Sequence, residues 1–122
     1  MSTITLSKVF ETRNMKAMIL WETLTCGDVG SIYEVPDWAD SLTVQAHGTF
    51  TDDASPAETA TLTIYGSNDG VNWAALQADY LGTVSFTTAG IKSVALLPRY
   101  IRPGLSLASG GDVDVWLFAR KS

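Results

Sequence analysis

The chain has 122 residues, of which 46% are hydrophobic and 17% charged, with a formal net charge of −5. That length suits one domain, and the absence of any run of about 20 apolar residues excludes a membrane-spanning helix. Eight Lys and Arg, not interleaved with aromatics, are too few for a nucleic-acid surface. Met1-Ser-Thr-Ile-Thr-Leu6 has neither the basic nor the apolar region of a signal peptide. The lone Cys26 cannot form an internal disulfide. Both features point to folding in a cytoplasm.

Residues 1–16 read as an extended N-terminal arm and 17–122 as the folded domain. The arm has few core formers, Ile4, Leu6, Val9 and Phe10. They are too few to order it alone, because fixing each backbone residue costs about 1–2 kcal/mol. Strand addition to a partner's edge would order it, with Lys8, Phe10, Arg13 and Lys16 as contacts. Ala17–Leu24 follows as a strand apolar on both faces at its start. Cys26–Gly30 is a turn, Ile32, Tyr33 and Val35 mark a short strand, and Pro36–Asp40 is a loop. Ser41–Phe50 alternates, with Leu42, Val44, Ala46 and Phe50 opposite Thr43, Gln45, His47 and Thr49. Residues 51–58 are a polar loop.

Leu62 and Ile64 alternate with Thr61, Thr63 and Tyr65 as a half-buried strand. Ser67-Asn-Asp-Gly70 then supplies turn chemistry, since Asn and Asp bond their own backbone and Gly tolerates positive φ. Trp73 follows on the returning strand, placed to cover the hairpin. Further strands fall at Leu81–Thr87, Ile91–Leu97 and Asp112–Ala119, with Pro98–Pro103 leading into Leu105 and Leu107. About eight strands at spacings near ten residues, with no helical period and no repeat, define an all-β, jelly-roll-like antiparallel β-sandwich.

Charge is distributed unevenly. Between Ala17 and Ile91 there is no Lys or Arg, whereas Glu22, Asp28, Glu34, Asp37, Asp40, Asp52, Asp53, Glu58, Asp69 and Asp79 all lie there. Both ends are basic, through Lys8, Arg13 and Lys16 and then Lys92, Arg99, Arg102, Arg120 and Lys121. Asymmetry of this kind bears on association rather than fold. Docking of the basic ends on an acidic surface is one reading, and a solvated tail is the other.

The residues with chemical potential are sparse. His47 is the only histidine and sits on the polar side of its strand, so a catalytic triad would have to use it. One His and one Cys leave no usual zinc or iron ligand set. Asp52-Asp53 with Glu58, or Asn68 with Asp69, could offer oxygens to calcium, without the ligand series of an EF-hand. The carboxylates fall mostly in loops, where solvation is the default. The expectation is therefore no enzyme, no cofactor and no metal. Trp21 and Trp116 lie in apolar strands and read as core, whereas Trp38 and Trp73 sit in or beside loops, positioned for exposed contact.

The run Ile64-Tyr-Gly-Ser-Asn-Asp-Gly-Val-Asn-Trp73, with Pro98-Arg-Tyr-Ile-Arg102 after it, resembles two marks of discoidin-type sandwiches. The chain is shorter than that family's domains and lacks their terminal cysteines. The same marks, with Gly110-Gly111 and the apolar strand Val113–Phe118, resemble small virion proteins of tailed bacteriophages, including head decoration (cement) proteins. The resemblance covers roughly residues 60–120. It implies a homo-oligomer, with a trimer favoured, that is made in a bacterial cytoplasm and binds the major capsid protein on the outer head surface. Arg99, Arg102 and Arg120 join the arm residues as expected contacts. No direct nucleic-acid or membrane partner is expected. The alternative is a carbohydrate-binding sandwich.

Overall fold

Alternation of apolar and polar residues with short turns produces a molecule of strands. The computed structural model describes residues 3–4, 8–12, 16–25, 27–52, 55–78, 82–106 and 112–121; for 3–4, 8–12, 51–52 and 55–58 the description is of backbone pairing. In chain order the strands are β1 (Thr3–Ile4), β2 (Lys8–Thr12), β3 (Lys16–Thr25), β4 (Val29–Gly30), β5 (Tyr33–Glu34), β6 (Ser41–Thr49) and β7 (Thr51–Asp52). They continue as β8 (Ser55–Thr59), β9 (Leu62–Ser67), β10 (Ala74–Ala75), β11 (Ser85–Phe86), β12 (Gly90–Ser93), β13 (Tyr100–Leu105) and β14 (Asp112–Arg120).

One antiparallel sheet runs in the order β12, β6, β14, β3, β2. The other runs β1, β4, β13, β9, β10, with β5 also on β13 and β11 also on β9. It is antiparallel except where β1 pairs with β4. The chain keeps crossing between sheets, since β3, β6, β12 and β14 belong to one and β4, β5, β9, β11 and β13 to the other. Such crossing is the jelly-roll arrangement. The structure divides the expected eight or so strands into more and shorter pieces: Leu81–Thr87 contributes only Ser85–Phe86, and Ile91–Leu97 contributes Gly90–Ser93. The expected polar loop at 51–58 is instead a two-stranded ribbon, β7 with β8. Main-chain pairing makes that ribbon, and it needs no apolar alternation to signal it.

The core lies between the sheets. β14 contributes Val113, Val115, Leu117 and Ala119, and β6 contributes Leu42, Val44 and Ala46. Leu62 and Ile64 of β9 meet them from the other side with Ile101 and Leu105 of β13. Because side chains alternate faces along a strand, Trp116 and Phe118 must point outward from the same β14. They are half-buried there. Trp21 is core as expected, but Trp116 is not, because the inward row of β14 is already filled by smaller aliphatics.

Two irregularities set this geometry. In β3, Glu22 and Thr23 together oppose Asp114, a bulge between the pairs Leu24↔Val113 and Trp21↔Val115. Thr23 has φ 56°, and its N–H donates to Asp114 Oδ1 at 2.8 Å. The bulge rephases the strand so that Trp21 and Leu24, three apart, both face the core. In the other sheet, Pro103 sits within β13 although proline has no N–H to donate. Its partner strand breaks at Ser31–Ile32, between β4 and β5, so the missing donor leaves no gap in the ladder. The Ser31 carbonyl instead accepts the Trp21 indole N–H at 3.1 Å.

The sequence reading leaves residues 1–16 as an extended arm. In the structure Lys8–Thr12 is the outermost strand of the five-stranded sheet, in register with Lys16–Leu20, and Thr3–Ile4 pairs with Val29–Gly30. The open edge of β3 offers this segment the main-chain partners it was expected to find on another molecule.

Candidate functional site

The sandwich presents two outward faces and one ordered turn. The turn follows β9. Ser67 Oγ accepts from Gly70 N at 2.9 Å and donates to Asp69 Oδ1 at 2.8 Å. Asp69 also accepts from Val71 N and Asn72 N at 2.8 Å and from Asn72 Nδ2 at 2.7 Å. Gly70 takes φ 77°, the positive value its turn position requires. The N–H donors of Asn72 and Val71, then the Ser67 hydroxyl and the Asn72 amide, hold the Asp69 carboxyl far below the usual carboxylate range. Asp69 therefore braces the turn from within, while the neighbouring Asn68 Oδ1 accepts from Arg99 N at 3.1 Å and ties the turn to the approach to β13. Among the described residues no three His, Cys, Asp or Glu cluster as metal ligands; Asp53 of the other oxygen cluster lies outside them.

The turn delivers Trp73 to the outer face of the seven-stranded sheet. There a groove of about 410 Å³ is lined by Trp73, Tyr65, Arg102, Thr61, Thr63 and Ser106 among others. Arg102 and Tyr65 are cross-strand partners, and the Arg102 guanidinium lies 4.3 Å from the Trp73 ring centroid. Gly104 makes the floor: a Cβ there would stand 3.0 Å from Tyr65 Cε2, so glycine lets the ring lie over β13. Thr61 N–H donates to Ser106 Oγ at 2.8 Å and closes one end. The Asp28 carboxylate, accepting from Thr25 N and Thr25 Oγ1, fixes the neighbouring turn into β4.

The outer face of the five-stranded sheet differs in character. Met18, Ile91, Trp116 and Phe118 line a hollow of about 330 Å³ with Thr43 and Gln45. Met18 is 39% and Ile91 66% exposed, and among the described side chains none that lines the hollow is charged. Register makes the rows explicit. Trp116 lies between Leu20 and Gln45, and Phe118 between Met18 and Thr43.

The expected contact residues are distributed over these surfaces. Lys16 and Arg120 are register partners, both exposed, at one end of the five-stranded face. Phe10 and Lys8 take the register positions beside Met18 and Leu20; their side chains, and the whole of Arg13, lie outside the described residues. Arg102 and Trp73 come together in the groove. Arg99 stands apart, 3.9 Å from Glu34 Oε1 and 5.2 Å from the Tyr100 ring centroid. Trp38 is half-buried and packs against the core. His47 is exposed in register with Asp114. Sequence reasoning missed Tyr65, Gly104, Met18, Ile91, Trp116 and Phe118. The signal for the last two was present, since β14 is apolar on both faces and only one can meet the opposite sheet.

These features define a two-sheet jelly-roll sandwich with, among the described residues, no helix long and apolar enough to span a membrane. No family model and no curated protein sequence matches the chain. In fold it is similar to the SPBc2 prophage-derived protein YomS, at 18% identity and TM-score 0.65 over 92% of this chain and 98% of that one. More remote likenesses are a cupin domain from Bordetella pertussis Tohama I (10% identity, TM-score 0.40, 100% and 98% covered) and CsCBM6-3 from Clostridium stercorarium in complex with cellobiose (18%, 0.36, 96% and 82% covered).

Proposed function

We propose that this chain is a structural, non-catalytic protein of a tailed-phage virion, of the capsid decoration type. It associates with copies of itself and with the major capsid protein on the outer head surface, and it stabilises the shell by bridging neighbouring subunits. The observation that carries this reading is the apolar middle of the outer face of the five-stranded sheet, where exposed Met18 and Ile91 lie beside half-buried Trp116 and Phe118. Exposed apolar patches of this kind mark interaction surfaces. The phage-derived fold neighbour agrees with the setting. Mass spectrometry of purified virions tests it, with the chain expected in many copies per particle. Purified heads should also bind the protein, and Phe118→Lys should weaken that binding. Absence of the chain from virions would refute the proposal.

The second reading, a carbohydrate-binding sandwich, draws on the opposite face. Tyr65 laid over Gly104, Trp73 braced by Arg102 and the hydroxyls of Thr61, Thr63 and Ser106 form an aromatic floor with a polar rim, which suits the stacking of a sugar ring. Binding of glycans that Trp73→Ala abolishes, with no binding to heads, would favour this reading over the first.

A further inference from the structure

From the charge pattern along the five-stranded face we infer that its occupant is a second copy of this chain, packed face to face with its strands reversed. This rests on the reading of that face as an interface and adds which partner covers it and in what orientation.

On β14 the outward row is Asp112, Asp114, Trp116, Phe118 and Arg120, all exposed or half-buried. On β3, Lys16 pairs with Arg120, Met18 with Phe118 and Leu20 with Trp116, while Glu22 lies in the bulge opposite Asp114. On β14 and β3 the face therefore runs from a basic end, through an apolar middle, to an acidic end. From Arg120 to Asp114 is six residues, roughly 20 Å at about 3.3 Å per residue. The other strands complete the picture: β6 places Ser41 beside Arg120 and His47 beside Asp114, β12 adds Ile91 in the middle, and β2 sets Lys8 at the register position next to Leu20.

A surface with opposite charges at its two ends is complementary to itself once turned end for end. A two-fold axis lying in the interface, across the strands at the level of Leu117 and Ile19, does this. Those two residues are register partners and stand midway between the charged ends on both strands. Under that operation Arg120 of one copy meets Asp114 of the second, Lys16 meets Glu22, and Trp116 meets Phe118. A two-fold axis along the strands would instead set basic end on basic end. The result is an isologous interface, in which the same patch serves both copies. Its apolar middle supplies affinity, and its charged ends fix direction.

Sedimentation velocity on the full chain tests this. The wild-type protein is expected to sediment as a dimer, and Phe118→Lys as a monomer with an unchanged circular dichroism spectrum. Two charge variants read out orientation. Lys16→Glu puts an acid at the basic end and Glu22→Lys a base at the acidic end, and neither touches the Asp114 carboxylate that holds the bulge. Each alone should dimerise at least about tenfold more weakly, and an equimolar mixture should recover a mixed dimer. A wild-type chain that stays monomeric up to about 200 μM, above the micromolar range of ordinary weak interfaces, would overturn the inference. Charge variants that dimerise undiminished, or a mixture that fails to recover, would overturn the reversed orientation. If Phe118→Lys loses head binding while the wild type is monomeric, the capsid protein covers this face, and the decoration reading survives without the dimer.

Discussion

Replacing Thr23 by glycine should stabilise the protein. Thr23 holds φ 56° in the β3 bulge, a left-handed conformation that costs an L-residue about 1–2 kcal/mol. Glycine adopts it freely but brings extra freedom in the unfolded chain, which costs about 0.5–1 kcal/mol. The Thr23 side chain is exposed, so little packing is lost, and the N–H bond to Asp114 is a main-chain donor that glycine keeps. The balance is a gain of about 0.5–1 kcal/mol. With an unfolding entropy of about 2.1 cal/mol/K per residue, this amounts to a rise of about 2–4 °C in Tm. Urea unfolding followed by fluorescence is a suitable assay, because Trp21 beside the bulge is only 1% exposed. The midpoint should rise with an unchanged m-value. Thr23→Val, which keeps the branched β-carbon, should not stabilise. A loss of stability in Thr23→Gly, or an equal gain in Thr23→Val, would show that backbone strain is not what this position stores.

Gly48→Ala should destabilise by at least about 2 kcal/mol in the same assay, because φ is +135° and the new Cβ would lie 2.2 Å from the Asp112 carbonyl oxygen. Leu117→Ala, fully buried between the sheets, should cost about 2–5 kcal/mol. Asp69 has a depressed pKa in the folded state, so its contribution is complete above the unfolded carboxylate value of about 3.9 and is lost as pH falls below it. Asp69→Asn should therefore flatten the acid limb of a stability–pH curve and leave the slope above pH 5 unchanged.

The fold class is legible because β6 alternates over nearly its whole length and Ser67–Gly70 carries its turn chemistry in four residues. What was not legible had no local signal. Trp21-Glu-Thr-Leu24 breaks the two-residue period, and only the position of Asp114, some ninety residues on, makes a bulge of it. β4 falls in the expected turn Cys26–Gly30 and exists through main-chain pairing with β1 and β13, whatever its own propensity. The groove was half visible, since Trp73 and Arg102 were singled out separately but nothing in the chain said they stack. Tyr65 joins them only because Gly104 lies across the sheet. At Trp116 apolar character does not mean core: each strand has two sides, and this residue lies on the outer one, half-buried.

The place of β14 in its sheet also dictates an order of events during synthesis. It is the last strand of that sheet to leave the ribosome, yet it lies between β3 and β6. A nascent chain halted before residue 112 holds both neighbours with an open slot where the central strand belongs. Leu42, Val44, Ile19 and Trp21 then lack the neighbours that β14 supplies, and two unpaired strand edges invite whatever strand arrives first. The sheet completes only when the residues from 26 to 111, which separate β3 from β14, have been bridged. Slow closure follows from such distant pairing. A strand supplied in trans, as a peptide spanning residues 112–120, would compete for the same slot.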